Sequence, residues 1–436
     1  MTTTVPASRA SAAASLDDAV RDARERYAQR RPVGARMHAE ACEVMPGGNT
    51  RTVLYHGPFP LRVARGWDQR IVDVDGWEYV DMLGEYTAGL YGHSCAPIHD
   101  AVRAALDDGL SLAAHNVYEA RLARVLVDRF PSVDLVRFTN SGTEANLMAL
   151  SLARAVTGRP AVAAVVGGYH GGLLYFAGGG SPVNAPFDVV LLDFNDVEAS
   201  RRALRDHADR LAAVVVEPVL GSAGAIPAEP DYLAMLREES SRHGILLVLD
   251  EVMTSRLGPQ GAGARYGVTP DLITLGKYLG GGLTFGAFGG RRDLMARFDP
   301  SSPDALPHAG TFNNNVLTMA AGLAGLTEVL DDDALAALNA RGERLRALLL
   351  ELLGPHGWTA TGMGSMIGVH PVPGPVRSPR DLAGADDRLR ELLFFDLLER
   401  GWYMARRGFI ALSLEISDED VAGFVDAVRD SLSQRR

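Results

Sequence analysis

The chain has 436 residues, more than one hydrophobic core usually serves, so two domains, or a large domain with a smaller lobe, are expected. Its 47% hydrophobic and 22% charged residues are those of a globular protein, and a net charge of −11 with a pI near 5.5 argues against nucleic acid or an anionic membrane as the main partner. There is no apolar run long enough to span a bilayer, and Cys42 and Cys95 are too few for a disulfide framework or a zinc site, which points to the reducing cytoplasm.

Residues 1–15 read as a loose tail of small residues, followed by an exposed, charged helix. This start lacks the apolar core of a secretion signal, and its acidic residues count against a transit peptide. Residues 1–70 are mixed and loop-rich, with the Pro and Gly clusters "MPGGNT" and "HGPFPL". Between about 134 and 290, short apolar runs alternate with helical patterns. The runs are "LVRF" (135–138), "AVAAVV" (161–166), "VVLLDF" (189–194), "AAVVVE" (212–217), "ILLVLD" (245–250), "LITL" (272–275) and "FGAFGG" (285–290). Several are apolar at consecutive positions, as strands covered on both faces must be. The amphipathic segments "EANLMALSLARAV", "VEASRRALRDHA" and "PDYLAMLREESSRH" separate some of them. The alternation predicts an α/β fold with a largely parallel sheet flanked by helices, its spatial strand order left open. Beyond about 329, a long amphipathic helix precedes the β-like "GMGSMIGVHPV" and a second helix, "DDRLRELLFFDLLERG". The expected organisation is a large domain over 76–328 and a smaller lobe built from 16–75 and 329–436.

Parallel α/β sheets bind ligands beyond the carboxyl ends of their strands, and four unusual segments fall there. In "RFTNSGTEANLMAL", Ser141, Gly142 and Thr143 stand between a strand and a helix, where free N–H groups and two hydroxyls suit a phosphate; a plain N-cap with Glu144 in the first turn reads equally well. "ILLVLDEV" ends with Asp250 and Glu251, a carboxylate pair able to bind a metal, hold a cationic ring nitrogen or cap a loop. No further Asp or His stands at ligand spacing, so metal is the weakest of these. "VVGGYHGG" sets Tyr169 and His170 in a glycine-rich loop, where a flat side chain can stack on a planar ligand. "LITLGK" ends with Lys277, the sole lysine among 43 basic residues, the rest being arginine. A lysine amine can lose its proton and attack a carbonyl, and guanidinium cannot. A phosphate cup, an acid, an aromatic face and an amine together fit pyridoxal 5′-phosphate held through a lysine.

These segments, with "GTFNNNVLTM", resemble the class III aminotransferases of the fold-type I pyridoxal phosphate enzymes, in order and from about residue 35 to 430. Within the class the chain is most similar to bacterial β-phenylalanine aminotransferases, through "EYTAGLYGHS", "GTFNNNV" and "RRGFIALSL". The resemblance implies a seven-stranded, mostly parallel sheet in the large domain and a smaller α+β domain from both chain ends. Lys277 would carry the cofactor and then move the substrate proton, and Asp250 would keep the pyridine nitrogen protonated. Ser141, Gly142 and Thr143 would bind the phosphate, joined by Thr311 of the second subunit of a homodimer. Tyr169 and His170 would lie against the ring, with Glu217 of "VVVEPV" close by. Arg51 would receive the carboxylate of a β-amino acid, and Arg407 a carboxylate of the keto acid acceptor, 2-oxoglutarate or pyruvate, with Arg406 beside it in tandem.

Glutamate-1-semialdehyde aminomutase shares the cofactor segments and is the runner-up, with an ω-amino acid or amine transaminase as a further alternative. The mutases carry "GTYQGNPLAM" where this chain has "GTFNNNVLTM", and lack the "RGF" segment. A nucleotide-dependent oxidoreductase is disfavoured, because "GAGARYG" and "GMGSMIG" have the wrong spacing for a dinucleotide fingerprint. No DNA-binding module that would make the chain a regulator is appended.

Overall fold

The computed structural model describes the backbone of residues 7–433 and side chains from residue 15, so most of the tail expected over 1–15 lies outside the side chains described. A helix runs from Ala7 to Gln29. At the centre is a seven-stranded sheet whose strands coincide with the seven apolar runs. Their spatial order is Leu135–Thr139, Gly286–Gly290, Leu272–Gly276, Leu246–Asp250, Leu211–Val216, Ala161–Val165, Asp188–Leu192. All neighbours are parallel except Gly286–Gly290, which runs against both of its own.

The consecutive apolar residues serve two cores at once, because side chains along a strand alternate faces. Ala163, Val165, Val214, Val216, Leu247 and Leu249 pack against Leu204, Tyr232 and Leu236 of the helices Val197–Asp206 and Pro230–His243. Val162, Ala164, Val215, Val248 and Leu272 face Ala149, Leu150 and Ala153 of the helix Gly142–Thr157. That helix is framed by its own sequence. Ser141 accepts the Glu144 N–H at 3.2 Å as N-cap, and Gly158 ends it in the left-handed region at φ 68°.

The two chain ends meet. Strands Val63–Trp67, Arg70–Asp73 and Glu78–Asp81 form an antiparallel run, and Trp402–Tyr403 joins it parallel to Glu78–Asp81. Tyr27, Phe59, Ile71, Tyr79, Phe394 and Phe395 fill the space beneath. A second small sheet pairs Thr359–Met363, Met366–His370 and Phe409–Ala411. "GMGSMIG" is therefore a hairpin, while "GAGARYG" opens the short helix Gly261–Arg265, so neither is the strand-to-helix turn of a dinucleotide fold. Among the described residues, no helix is long and apolar enough to cross a membrane.

Candidate active site

The chemistry-bearing residues gather at the carboxyl end of the sheet, around a cavity of about 250 Å³ lined by Ser141, Gly142, Thr143, Asn146, Tyr169, His170, Glu217, Asp250 and Lys277, among others. They come from several different strand ends. Asp250 is the last residue of its strand and lies opposite Thr274 of the next, which delivers Lys277 three residues later. Lys277 is half-buried and takes a φ of 60°, a left-handed conformation that costs a side-chain-bearing residue of order 1–3 kcal/mol. Burial lowers the Lys277 ammonium below its ordinary pKa. The guanidinium charges of Arg51 and Arg407 push the same way, while Glu85 and Asp250 oppose them. A fraction of neutral amine is thereby favoured at the one lysine of the chain.

Asp250 sits in a fully made network. Its Oδ2 accepts from Asn146 Nδ2 at 2.8 Å and contacts His170 Nδ1 at 2.8 Å, and its Oδ1 accepts the Val252 N–H at 3.0 Å. Asn146 is fixed in turn by the Thr274 hydroxyl at 2.9 Å and by the Gly142 carbonyl, to which it donates at 3.0 Å. Burial opposes protonation of His170, but the hydrogen bond and charge of Asp250, with Glu217 behind them, outweigh it and raise the imidazole pKa. Glu217 is buried, which pushes its carboxyl up to about 7 against the pull of His170; Asp250 pushes it up as well. It accepts the N–H groups of Tyr169 at 2.9 Å and Gly221 at 3.1 Å, and so sets the loop that presents Tyr169.

Glu251, one residue along, turns away. Its carboxylate accepts from the N–H groups of Ala262 and Gly263, each at 2.7 Å, and from the Thr254 hydroxyl at 3.1 Å. The carboxylate pair thus divides its work: Asp250 faces the cavity and Glu251 caps a loop. Glu251→Ala would leave three donors to find water in a dry interior. It should lower stability by about 2–4 kcal/mol, read as an earlier denaturation midpoint, with kcat of the folded protein kept within a few-fold.

The cup at Ser141–Thr143 is at once an N-cap and a cavity wall, so the two readings of that segment coexist. A side chain at Gly142 would place its Cβ 2.8 Å from Val252, whose N–H binds Asp250. The Thr143 hydroxyl accepts the Gly172 N–H at 3.2 Å, and a Cβ at Gly171 would fall 2.2 Å from it, so the loop of Tyr169 closes directly on the cup. First-turn N–H groups without a helical partner, under a hydroxyl, suit a phosphate dianion. The Oδ1 atom of Asp250 keeps a lone pair for a ring N–H. The donor set therefore fits pyridoxal 5′-phosphate, with Ser141, Gly142 and Thr143 at its phosphate, Asp250 at its nitrogen, and Tyr169 and His170 on the flanking loop. Among the described residues no cluster of His, Cys, Asp and Glu is suited to a metal.

Arg51 stands just before the single turn Thr52–Leu54, and Arg407 in the turn that leads into the strand Phe409–Ala411. Their guanidinium carbons lie 6.0 and 5.0 Å from the ring centroid of Tyr86, which stacks on Phe409 at 6.0 Å. Arg51 pairs with Glu85, and Arg407 Nη1 donates to Ser222 Oγ at 3.2 Å. Arg406 instead faces outward to Glu391, 3.7 Å away, which separates the tandem pair. Thr311 is exposed and stands outside the cavity of its own chain.

Three participants carried no sequence-level role. Asn146 lies four residues after Gly142 on the buried face of its helix, a spacing that aims it at the neighbouring strand ends. Glu85 and Tyr86 belong to a run, Gly84–Thr87, with φ between 47° and 80° throughout, which no side-chain pattern announces.

The class III aminotransferase family model matches residues 54–428. The β-phenylalanine transaminase of Variovorax paradoxus is 49% identical over 417 residues, 95% of this chain and 96% of that protein. A crystal structure of a β-phenylalanine aminotransferase from the same organism superposes with a TM-score of 0.95, covering 96% of this chain and 98% of that one at 49% identity. A glutamate-1-semialdehyde 2,1-aminomutase of Thermus thermophilus is 38% identical over 426 residues, 92% of this chain and 100% of that protein. Cup, acid and lysine occupy a sheet end that this family match spans almost entirely, and the chain accordingly belongs to the class III aminotransferases, the enzymes that transaminate with pyridoxal phosphate.

Proposed function

We propose that this enzyme transfers the amino group of a β-amino acid with an aromatic or other apolar side chain, such as β-phenylalanine, to 2-oxoglutarate or pyruvate. One observation carries the reading: two guanidiniums, Arg51 and Arg407, converge on the ring of Tyr86, and the charges of both act on Lys277. Two carboxylate anchors near one lysine suit a reaction in which donor and acceptor each bring a carboxylate and take turns in one site. The 49% identity to a β-phenylalanine transaminase supports the same donor class.

When bound, pyridoxal phosphate supplies an electron sink that lets a C–H bond beside nitrogen ionise. The residues divide the remaining work. Asp250, held by Asn146 and His170, keeps a proton on the ring nitrogen. Lys277 Nζ is the base that takes the substrate proton and returns it one position away. Ser141, Gly142 and Thr143 hold the phosphate, Tyr169 and His170 confine the ring, and Arg51 aligns the donor. In the same reading the enzyme is a cytoplasmic homodimer, with Thr311 reaching the partner's phosphate site. The exposed apolar side chains of Leu106, Leu110, Leu112, Val117 and Phe312 support such an interface, and the two free thiols support a reducing compartment.

A β-amino acid sets its carboxylate one carbon farther from the reacting amine than an α-amino acid, so a fixed arginine cannot serve both spacings equally. Arg51→Ala should therefore cost at least about tenfold in kcat/KM for a β-amino donor, about 1.4 kcal/mol, mostly through KM. The loss is smaller than for a buried pair, because Arg51 is 42% exposed and solvent screens it. A matched amine without a carboxylate should keep its activity; equal losses for both donors would defeat the assignment. Running the wild type without any keto acid separates a mutase, which needs none.

A further inference from the structure

Beside Arg407 lies a second cavity of about 210 Å³, distinct from the one lined by Lys277. Its wall includes Ser222, His370, Leu382, Arg390, Arg407 and Phe409, and no aspartate or glutamate lines it. The partition from the reaction cavity is thin. Gly221 borders the second cavity while donating its N–H to Glu217, which borders the first, and a Cβ on Gly221 would fall 2.5 Å from Sδ of Met253, another first-cavity residue.

The second cavity is cationic and poorly compensated. Among the described residues no carboxylate forms an ion pair with Arg407. Arg390 Nη1 donates to the Arg407 backbone carbonyl at 3.3 Å, which ties the two arginines together, while its Nη2 meets Asp387, whose side chain is 76% exposed and screened by water. His370 adds no charge at neutral pH, since burial drives its pKa down to about 4, the Gly224 carbonyl opposes this, and the Arg390 charge reinforces it. Two guanidiniums around one space without an acid are costly unless an anion joins them. The apolar edge of Leu382 and Phe409 suits methylene carbons. A volume of about 210 Å³ leaves room for a carboxylate on a short methylene chain.

We propose that this cavity receives the distal carboxylate of a dicarboxylic 2-oxo acid acceptor, and that Arg390 selects such an acceptor over pyruvate. This rests on the reading of Arg407 as the acceptor's anchor. Pyruvate has one carboxylate and satisfies one guanidinium, whereas a five-carbon diacid offers one to each.

The test measures kcat/KM for 2-oxoglutarate and for pyruvate at fixed donor, in wild-type holoenzyme, Arg390→Met and Arg390→Lys. The ratio of 2-oxoglutarate to pyruvate should fall at least tenfold in Arg390→Met and recover most of that loss in Arg390→Lys, which keeps the charge. A ratio within twofold of wild type in Arg390→Met overturns the subsite, as does an equal loss in both variants. A second measurement titrates the holoenzyme calorimetrically with glutarate, a diacid that cannot react, and with inorganic phosphate. Glutarate should bind at least tenfold more tightly than phosphate, and Arg390→Met should abolish the difference; equal affinities in wild type would mark a general anion hole and overturn the proposal. Glutarate binding requires no amino donor. If β-amino acids prove inert while glutarate still depends on Arg390, the donor reading alone falls; if glutarate ignores Arg390, the subsite alone falls.

Discussion

Lys277→Arg is expected to leave a folded protein without transaminase activity, a loss on the order of 10⁶-fold, the scale seen when an enzyme loses its covalent nucleophile. Guanidinium stays charged at any working pH, so it neither forms the covalent link to the cofactor nor carries a proton between carbons. The wild type should be yellow and lose its visible band on borohydride treatment, which fixes the cofactor to its lysine. Because the chain has a single lysine, peptide mapping has one permitted answer, the peptide containing Lys277. A pyridoxyl group absent from that peptide, or substantial turnover by the variant, would remove the residue from the mechanism.

Asp250→Asn should bind cofactor and turn over roughly 10²–10³-fold more slowly, as when one preorganised electrostatic group is lost from a site. An amide is neutral and cannot hold the ring nitrogen protonated. Its cost to the fold is smaller. The amide oxygen can replace Oδ2 toward Asn146 and His170, but the amide NH₂ then faces the Val252 N–H, donor against donor, a loss of about 1–3 kcal/mol. The informative comparison is therefore the half-reaction rate with donor alone, set against the melting temperature. A rate loss below tenfold with a large fall in melting temperature would make Asp250 a structural cap. The contrast with Glu251→Ala, where stability falls and chemistry survives, sharpens the assignment.

Much of this was readable before any coordinates. The seven strands announce themselves because burial on both faces demands unbroken apolar runs, and "AVAAVV" and "ILLVLD" satisfy that over consecutive positions. Their spatial order does not announce itself: "FGAFGG", late in the chain, inserts between "LVRF" and "LITL" by pairing across more than 140 residues, which local pattern cannot encode. Lys277 was legible through its rarity and Ser141–Thr143 through its place between strand and helix. Of the adjacent acids, Asp250 was singled out over Glu251 by the resemblance, and the physical ground is that neighbours on a strand point to opposite sides, so only one can face a given pocket. Arg51 and Arg407 rested on resemblance alone, since in an arginine-rich chain nothing local distinguishes a binding guanidinium from a surface one. The left-handed run at Glu85 and Tyr86 left no trace, because tertiary packing holds residues there that would choose another conformation alone.

The reversed strand Gly286–Gly290 has a consequence for how the enzyme comes into being. Its first residue sits in one row with Thr139 on one side and Gly276 on the other, and a Cβ on it would lie 2.1 Å from the Ser141 carbonyl. The gap between the phosphate cup and the lysine-bearing strand end is thus two strand spacings, roughly 9–10 Å, measured out by backbone alone. The pairing of Gly286 with Gly276 is local, whereas its pairing with Thr139 closes a long stretch of chain, and pairings at such separation form late because the loop they close must be ordered first. Uptake of the cofactor by a refolding chain is therefore expected to follow that long-range pairing.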